Sequence, residues 1–346
     1  MEQLDENQAT LVNDQAPPQY QLLNYVDSFI LVQNNLSTHG EEVGSEFETF
    51  LSDLGKPFGK VLTNRDPQIT TQRIIEKRAE LEAKYRELGR MALFFASGDK
   101  VIDDGIPVAR QIGAVVCALK AGGASNRSRS LIESQTPEEL FKNGYVVNSR
   151  TMVVELSNSD GELIDKFEAH TTGSLGYPVK IANFVNTPEH RGKTIFGVNI
   201  HKVSAALAAA PRAILEIKKA KKFTVEINGQ EVRTRAILFL NCARFAIVGY
   251  AKQVRADGPI HYIEKSSRSL LGLGFTLIRL RAKHSPGVDL NEPLTIRFPF
   301  DTEVEFGGDT RKIAAGTIAR LSHGLIISEI TDKKDYLETK NSQMAA

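Results

Sequence analysis

The chain has 346 residues, too many for one ordinary core, and is 41% hydrophobic and 25% charged, a globular composition that suits two domains. Its 43 Lys and Arg balance 42 Asp and Glu, so no global field favours nucleic acid. No stretch comes near the roughly eighteen consecutive apolar residues of a membrane-spanning helix, which excludes a helical span.

The N-terminus, "MEQLDENQATLVNDQAPPQY", is acidic and polar, lacks the basic and apolar regions of a signal peptide, and reads as a disordered leader over 1–25. From 26 to 145 the text alternates between strand and helix patterns. "FILV" is a short buried strand, and 43–54 has helical spacing through Val43, Phe47, Phe50, Leu51 and Leu54. "KVLT" is a second strand, 69–90 a long charged helix with Ile74, Leu81, Tyr85 and Leu88 inward, and "MALFF" a third strand. A helix over 102–112, a fourth strand "AVVCAL", and two short helices "NRSRSL" and "TPEELF" follow, the last with Thr136 as its cap. Such alternation predicts a doubly wound α/β domain with a parallel sheet.

After about Tyr145 strands dominate: "YVVNS", "TMVVELS", "ELIDKFEAHT", "ILEIKK", "KFTVEI", "VRTRAILFLNC", "IHYIEKS", "LTIRFP", "TEVEF" and "GLIISEI". Asn228-Gly229 is a hairpin turn, and helices are expected over 178–186, 192–210 and 266–282. The series predicts a mainly antiparallel β-sandwich domain over 146–332, separate from the α/β domain, with a polar tail over 333–346. Cys117 and Cys242 sit in apolar runs and read as buried thiols, while seven scattered histidines show no metal-ligand spacing.

Two small-residue loops follow buried strands. "SGDKV" (97–101) would put backbone N–H groups and a helix N-terminus at the carboxyl end of a parallel sheet, where α/β folds bind phosphates. A lone Gly-Asp turn is more often structural. "KAGGASNRSRSL" (120–131) is a second phosphate or ribose cradle, or a plain loop before a helix cap. Together the two would line one crevice.

In order and spacing, residues 28–330 resemble the diacylglycerol kinase catalytic family, which includes bacterial lipid kinases and sphingosine kinases and shares its nucleotide domain with NAD kinases. The Asn-Pro-x-Ser-Gly loop after the first strand is similar to "QNNLSTHG", with Asn34, Ser37 and Gly40. The threonine ending the second strand corresponds to Thr63, and the Gly-Gly-Asp-Gly-Thr signature to "SGDKV", with Gly98 and Asp99 kept. The Gly-Thr-x-Asn-Asp-Phe-Ala loop resembles "GGASNRSR", with Gly122, Gly123, Ser125 and Asn126 at the nucleotide. "QVRADGPIHYIEKS" keeps Asp257 and Gly258 of the Asp-Asp-Gly segment, a structural Mg²⁺ site in some bacterial members. The family's Asp-Gly-Glu becomes Gly307-Gly308-Asp309.

The departures have physical consequences. Lys100 replaces a glycine; positive φ there would cost its Cβ about 1–2 kcal/mol, while its ammonium could pair with phosphates. Val101 removes a hydroxyl, and Asp309 is one methylene shorter than glutamate at a place where a base needs a contact of about 2.6–3.2 Å. "KKAKK" (218–222) reads as edge-protecting lysines, with anionic lipid headgroups as the alternative.

The resemblance implies a lipid kinase using ATP and Mg²⁺, with Asp309 as base and Asp99 organising phosphates or metal. It implies a lipid substrate, transient contact with a membrane surface from the cytoplasm, no nucleic acid partner, and room for a homodimer. The altered signatures leave two other readings: a catalytically impaired binder of nucleotide or lipid, and a kinase of a soluble nucleotide such as NAD.

Overall fold

The computed structural model of the chain describes residues 20–37, 39–122, 126–185, 194–195, 198–199, 211, 214–245, 249–251, 254–255, 258–266, 279, 287–290, 292–307 and 309–334. Within the stretch expected to be leader, a 3-10 turn at Gln21–Asn24 buries Leu22 in the core. The first half then runs β1 (Ser28–Gln33), α1 (Gly40–Asp53), β2 (Phe58–Leu62), α2 (Pro67–Lys84), β3 (Met91–Ala96), α3 (Asp99–Gln111), β4 (Val115–Ala118), α4 (Asn126–Leu131) and α5 (Pro137–Asn143). Capping chemistry fixes two of these starts. The Asp66 side chain accepts from the Gln68 N–H beside Pro67, and Thr136 accepts from Glu139.

Strands β2, β1, β3 and β4 are parallel neighbours in that order. Every residue of β1 and β3 is buried, the continuous apolar run of a sheet covered on both faces. Period-2 alternation sends Phe29, Leu31 and Phe94 to one core with Phe47, Leu51 and Phe141. Ile30, Val32, Leu93 and Phe95 go to the other, with Ile74, Ile102 and Ile106. Both cysteines are buried thiols outside any disulfide, as expected.

The second half contains β5 (Tyr145–Ser157), β6 (Leu163–Ala169), β7 (Thr172–Gly176), α6 (Tyr177–Val185), β8 (Thr194–Ile195), β9 (Val198–Asn199), β10 (Phe223–Ile227), β11 (Gln230–Thr234), β12 (Ala236–Leu240), β13 (Arg244–Phe245), β14 (Gly249–Tyr250), β15 (Ile260–Lys265), β16 (Val288–Leu290), β17 (Leu294–Arg297), β18 (Thr302–Phe306), β19 (Asp309–Ile313) and β20 (Ile318–Thr331). The sheet order β16-β15-β12-β7-β18-β19 packs face to face on strands β5, β10, β17 and β20. Leu175, Phe239, Val304 and Phe306 meet Met152, Val154, Ile227, Ile296 and Leu321 in the core between them.

Several expectations are corrected. "YVVNS" and "TMVVELS" are one strand, β5, because both register with β20 across a single bulge between His323 and Ile326. "ILEIKK" is helical over 214–219, since short apolar–polar runs satisfy either period. Within 192–210 the described residues form the hairpin β8–β9 rather than helix. Of the helix expected over 266–282 only residues 266 and 279 are described, the second of them helical, and the tail after 334 lies outside the described residues. Among those described, no helix is long and apolar enough to cross a membrane.

The largest correction concerns the joint. Strands are parallel through Ala118 and mostly antiparallel from Tyr145, yet they belong to one ten-stranded sheet. Strand β20 joins them. One edge of β20 pairs with β5 along its length; the other pairs with β17 at its start and lies parallel to β4 at its end, where Glu329 faces Val116.

Beside that junction lies a buried ion pair. Arg127 of α4 and Glu329 of β20 are both fully buried, and Nε donates to Oε1 at 3.0 Å while Nη2 reaches Oε2. The remaining guanidinium nitrogen donates to the carbonyls of His170 at 3.2 Å and Asn241 at 3.1 Å, and the Ser149 hydroxyl donates to Glu329. Removing one partner strands the other charge. Glu329→Gln or Arg127→Met should therefore cost about 3–5 kcal/mol in urea unfolding, and Arg127→Met/Glu329→Leu should be less destabilised than either. Single variants within about 1 kcal/mol of wild type would refute this role.

Candidate functional site

The loops after β1, β2, β3 and β4 lie side by side at the carboxyl ends of the parallel strands, as the sequence predicted for Gly98, Asp99, Gly122 and Asn126. The Asn34 N–H donates to Ala96 O at 3.1 Å, and the Thr63 N–H to Gln33 O at 2.9 Å. Ala121 O accepts the Ser37 hydroxyl at 2.8 Å and the His39 N–H at 2.9 Å. Ser37 thus tethers one loop to another, and Asn34 holds its own loop by accepting the Leu36 N–H. Gly40 is required here, because a Cβ would sit 1.9 Å from the Asn34 carbonyl oxygen.

Asp99 connects the two signature loops. Its Oδ2 accepts the Asn126 N–H at 2.9 Å and its Oδ1 the Arg127 N–H at 3.1 Å, so both oxygens cap the start of α4. Burial raises its pKa, and these two hydrogen bonds oppose the rise. Gly98 is the cap residue of α3, at an ordinary φ of −84°, and the place its Cβ would occupy has nothing within 4 Å. Its backbone is open to a ligand at the N-terminus of a 13-residue helix.

The feared strain at Lys100 is absent, since the residue lies in the first turn of α3 with helical φ. Its ammonium crosses to the other half of the chain and meets Asp309 Oδ2 at 2.6 Å, with Asp104 at 3.8 Å. Burial works against the charge on Lys100, but the bond to Asp309 and the carboxylates of Asp104 and Asp103 win and raise its pKa. Asp309 begins β19, after a turn in which Gly307 has φ +59° and donates its N–H to Thr172 O at 2.9 Å. A Cβ on Gly307 would lie 2.1 Å from Asp103 Oδ2, so glycine lets this turn rest on α3. Gly123, Ser125 and Asp257 lie outside the described residues.

Sequence reasoning missed the groups beneath the loops. Asp103 lies one helical turn below Asp99, and His170 is fully buried with Nδ1 3.9 Å from Asp103 and Nε2 3.8 Å from Glu329. Neither carboxylate oxygen of Asp103 nor either ring nitrogen of His170 has a side-chain hydrogen-bond partner among the described residues. Burial and then the Asp99 carboxylate push the Asp103 pKa well up, with Arg127 opposing. Burial and the Arg127 and Arg110 cations push His170 well down. The i, i+4 spacing of Asp99 and Asp103 in "SGDKVIDDG" was the available signal. Among the described residues no group of three His, Cys, Asp or Glu could hold a metal ion, so the expected Mg²⁺ has no prebuilt cage there.

No protein-family model and no curated protein matches the chain. Solved structures do. A diacylglycerol kinase from Bacillus anthracis str. Sterne aligns with a TM-score of 0.58 at 14% identity, covering 89% of this chain and 98% of that one. A second structure assigned to that class in the same strain aligns with a TM-score of 0.56 at 14% identity, covering 89% and 97%. A yeast NADH kinase aligns with a TM-score of 0.46, too distant to carry weight. The chain has the fold of the diacylglycerol kinase structures, in agreement with the resemblance read from its motifs.

The buried acid fixes a pH dependence. Because its folded pKa is raised, Asp103 keeps its proton where the unfolded chain has lost it above the ordinary value of 3.8. Its stabilising contribution is therefore complete below that value and lost as pH rises through the folded pKa. His170 has the opposite sign, and its contribution is lost as pH falls below the ordinary 6.5. Asp103→Asn should raise the melting temperature near pH 7 by an amount that shrinks toward about pH 4. A gain of equal size at both pH values would remove Asp103 from this account.

Proposed function

We propose that the chain is a nucleotide-dependent phosphotransferase that moves the terminal phosphoryl group of ATP to the hydroxyl of a lipid. The observation that carries this reading is the meeting of Lys100 and Asp309 beside the open backbone of Gly98. Phosphoryl transfer from a nucleotide to an alcohol is mostly positioning and charge stabilisation. It needs a cation at the phosphates and a group to receive the hydroxyl proton. Lys100 and Asp309 are the matching pair, and their side chains are 52% and 43% exposed, so an arriving phosphate can compete for the ammonium.

Each residue then has a defined task. The N-terminus of α3 and the Gly98 backbone receive the phosphates. Lys100 turns from Asp309 to the transferred group, which frees the Asp309 carboxylate to accept the hydroxyl proton as the oxygen bonds to phosphorus and ADP departs. Asp99 keeps α4 and the second loop in register with the first. Mg²⁺ fits here as an ion arriving on the nucleotide, since it is commonly held by one or two carboxylates and substrate phosphates. The acceptor is expected to reach in from the surface. The void between the two sheets, lined by Phe239, Phe298 and Phe306, measures only about 10 Å³, far below an acyl chain.

One observation favours a second reading, nucleotide binding without transfer: the Asp309 carboxylate is already occupied by the Lys100 ammonium. An assay with ATP labelled in its γ-phosphate over a panel of extracted lipids separates the two. Asp309→Asn should abolish label transfer while ATP affinity stays nearly unchanged, because a base acts in the transition state. Lys100→Ala should weaken ATP binding by roughly tenfold, the loss of one charge-assisted contact. Wild-type protein that binds ATP and labels no lipid would establish the second reading; protein that does not bind ATP would end both.

A further inference from the structure

A well-formed concavity lies away from the loops after the parallel strands. It is a cleft of about 870 Å³ at the far end of the second sheet, lined by α6, by the segment between helix 214–219 and β10, and by β18 and β19. Thr302 pairs with Ile313 at this end, and Phe306 with Asp309 at the other. Four residue steps along β18 therefore separate cleft from crevice, about 13 Å.

Its walls are basic. Lys180, Lys219, Lys221, Lys222 and Lys312 are exposed and line the cleft, with Arg235 beneath them. No ion pair engages any of these five lysines among the described residues. Three acids line it too: Asp301 accepts the Ala315 N–H at 2.8 Å, Glu303 accepts from Asn183 at 3.5 Å, and Glu216 is buried, so six cations face three carboxylates. Arg235 is a strut, donating through Nε to Ala220 O at 3.1 Å and through Nη1 to Ser266 O, which fixes the segment that carries Lys219, Lys221 and Lys222.

The lysines do not guard a sheet edge, as the sequence had suggested. Strand β10 after them lies between β11 and β17, and the pairs 218–219 and 221–222 precede it rather than belong to it. Scattered surface lysines need no explanation. Five unpaired ammoniums converging on one hollow repel one another, and a concave low-dielectric wall focuses their field onto whatever enters.

We infer that this cleft is a binding site, separate from the nucleotide crevice, for a ligand carrying at least two phosphate charges, either a soluble polyphosphate or an anionic phospholipid headgroup. The inference needs no phosphotransfer and stands or falls independently of the reading above. Two probes test it on the full chain: inorganic pyrophosphate by titration calorimetry, and sedimentation with vesicles of equimolar phosphatidylcholine and phosphatidylglycerol against pure phosphatidylcholine. The variant Lys180→Gln/Lys221→Gln/Lys222→Gln/Lys312→Gln should weaken binding about tenfold or more. Lys142→Gln/Lys166→Gln, elsewhere on the surface, should not, and Lys100→Ala should leave pyrophosphate binding at the cleft intact. An unchanged circular dichroism melt shows that the variants are folded. Loss confined to pyrophosphate identifies a soluble ligand, and loss confined to anionic vesicles a headgroup. Wild-type protein that binds neither probe overturns the inference, as does a four-lysine variant that binds like wild type.

Discussion

The arrangement of the crevice depends on one buried contact, the ion pair between Arg127 and Glu329. A charge pair in a dry interior loses hydration that mutual attraction alone does not return, so its remaining donors and acceptors must be filled. Arg127 belongs to the first half, and the groups that fill them come from the second: the carbonyls of His170 and Asn241 and the hydroxyl of Ser149. The pair thus forms only when α4, the end of β20, the β6–β7 corner and the end of β12 are all in place. Through the Arg127 N–H, which bonds Asp99, the same contact sets the distance between the two signature loops. Fold and site share one anchor.

That anchor also bears on the titratable groups beneath the loops. Asp103 and His170 stand beside a full positive and a full negative charge that already satisfy each other. Burial makes further charge costly there, so the pKa of the acid is pushed well up and that of the imidazole well down. The Asp99 carboxylate, one helical turn away and tied to the N–H groups of α4, adds to the rise at Asp103.

The first half was legible because β1, β3 and β4 are buried apolar runs and the long helices bury one face, so pattern and burial agree. The loops were legible for a related reason: small residues after a buried strand leave room for backbone to meet backbone, and Asn34, Ser37 and Gly40 do pack that way. Pairing over long separations was not. Nothing local in "GLIISEI" says that one strand turns from β17 to β4 along its own edge, because edge choice is set by what the whole sheet leaves unpaired. Nothing local in "NRSRSL" or "GLIISEI" marks Arg127 or Glu329 as buried. Their burial is decided by each other, 202 residues apart. The capping task of Asp99 was hidden for the same reason, because only the fold reveals the helix start that uses both its oxygens.

The two departures from the kinase signatures make sense as a pair. A lysine in the first turn of α3 places a cation beside Asp104 and Asp309, two carboxylates that would otherwise stand at the helix start with only a backbone dipole to offset them. An aspartate at position 309, with glycine at 307, lets the turn sit directly on α3, close enough for a short side chain to reach that lysine. A longer acid at 309 would have to fold back to make the same contact, and a glycine at 100 would leave Asp309 with no cation to hold it. The shortened carboxylate and the added ammonium therefore satisfy one geometry between them. The same geometry joins the first turn of α3 to the strand pair that runs down to the basic cleft.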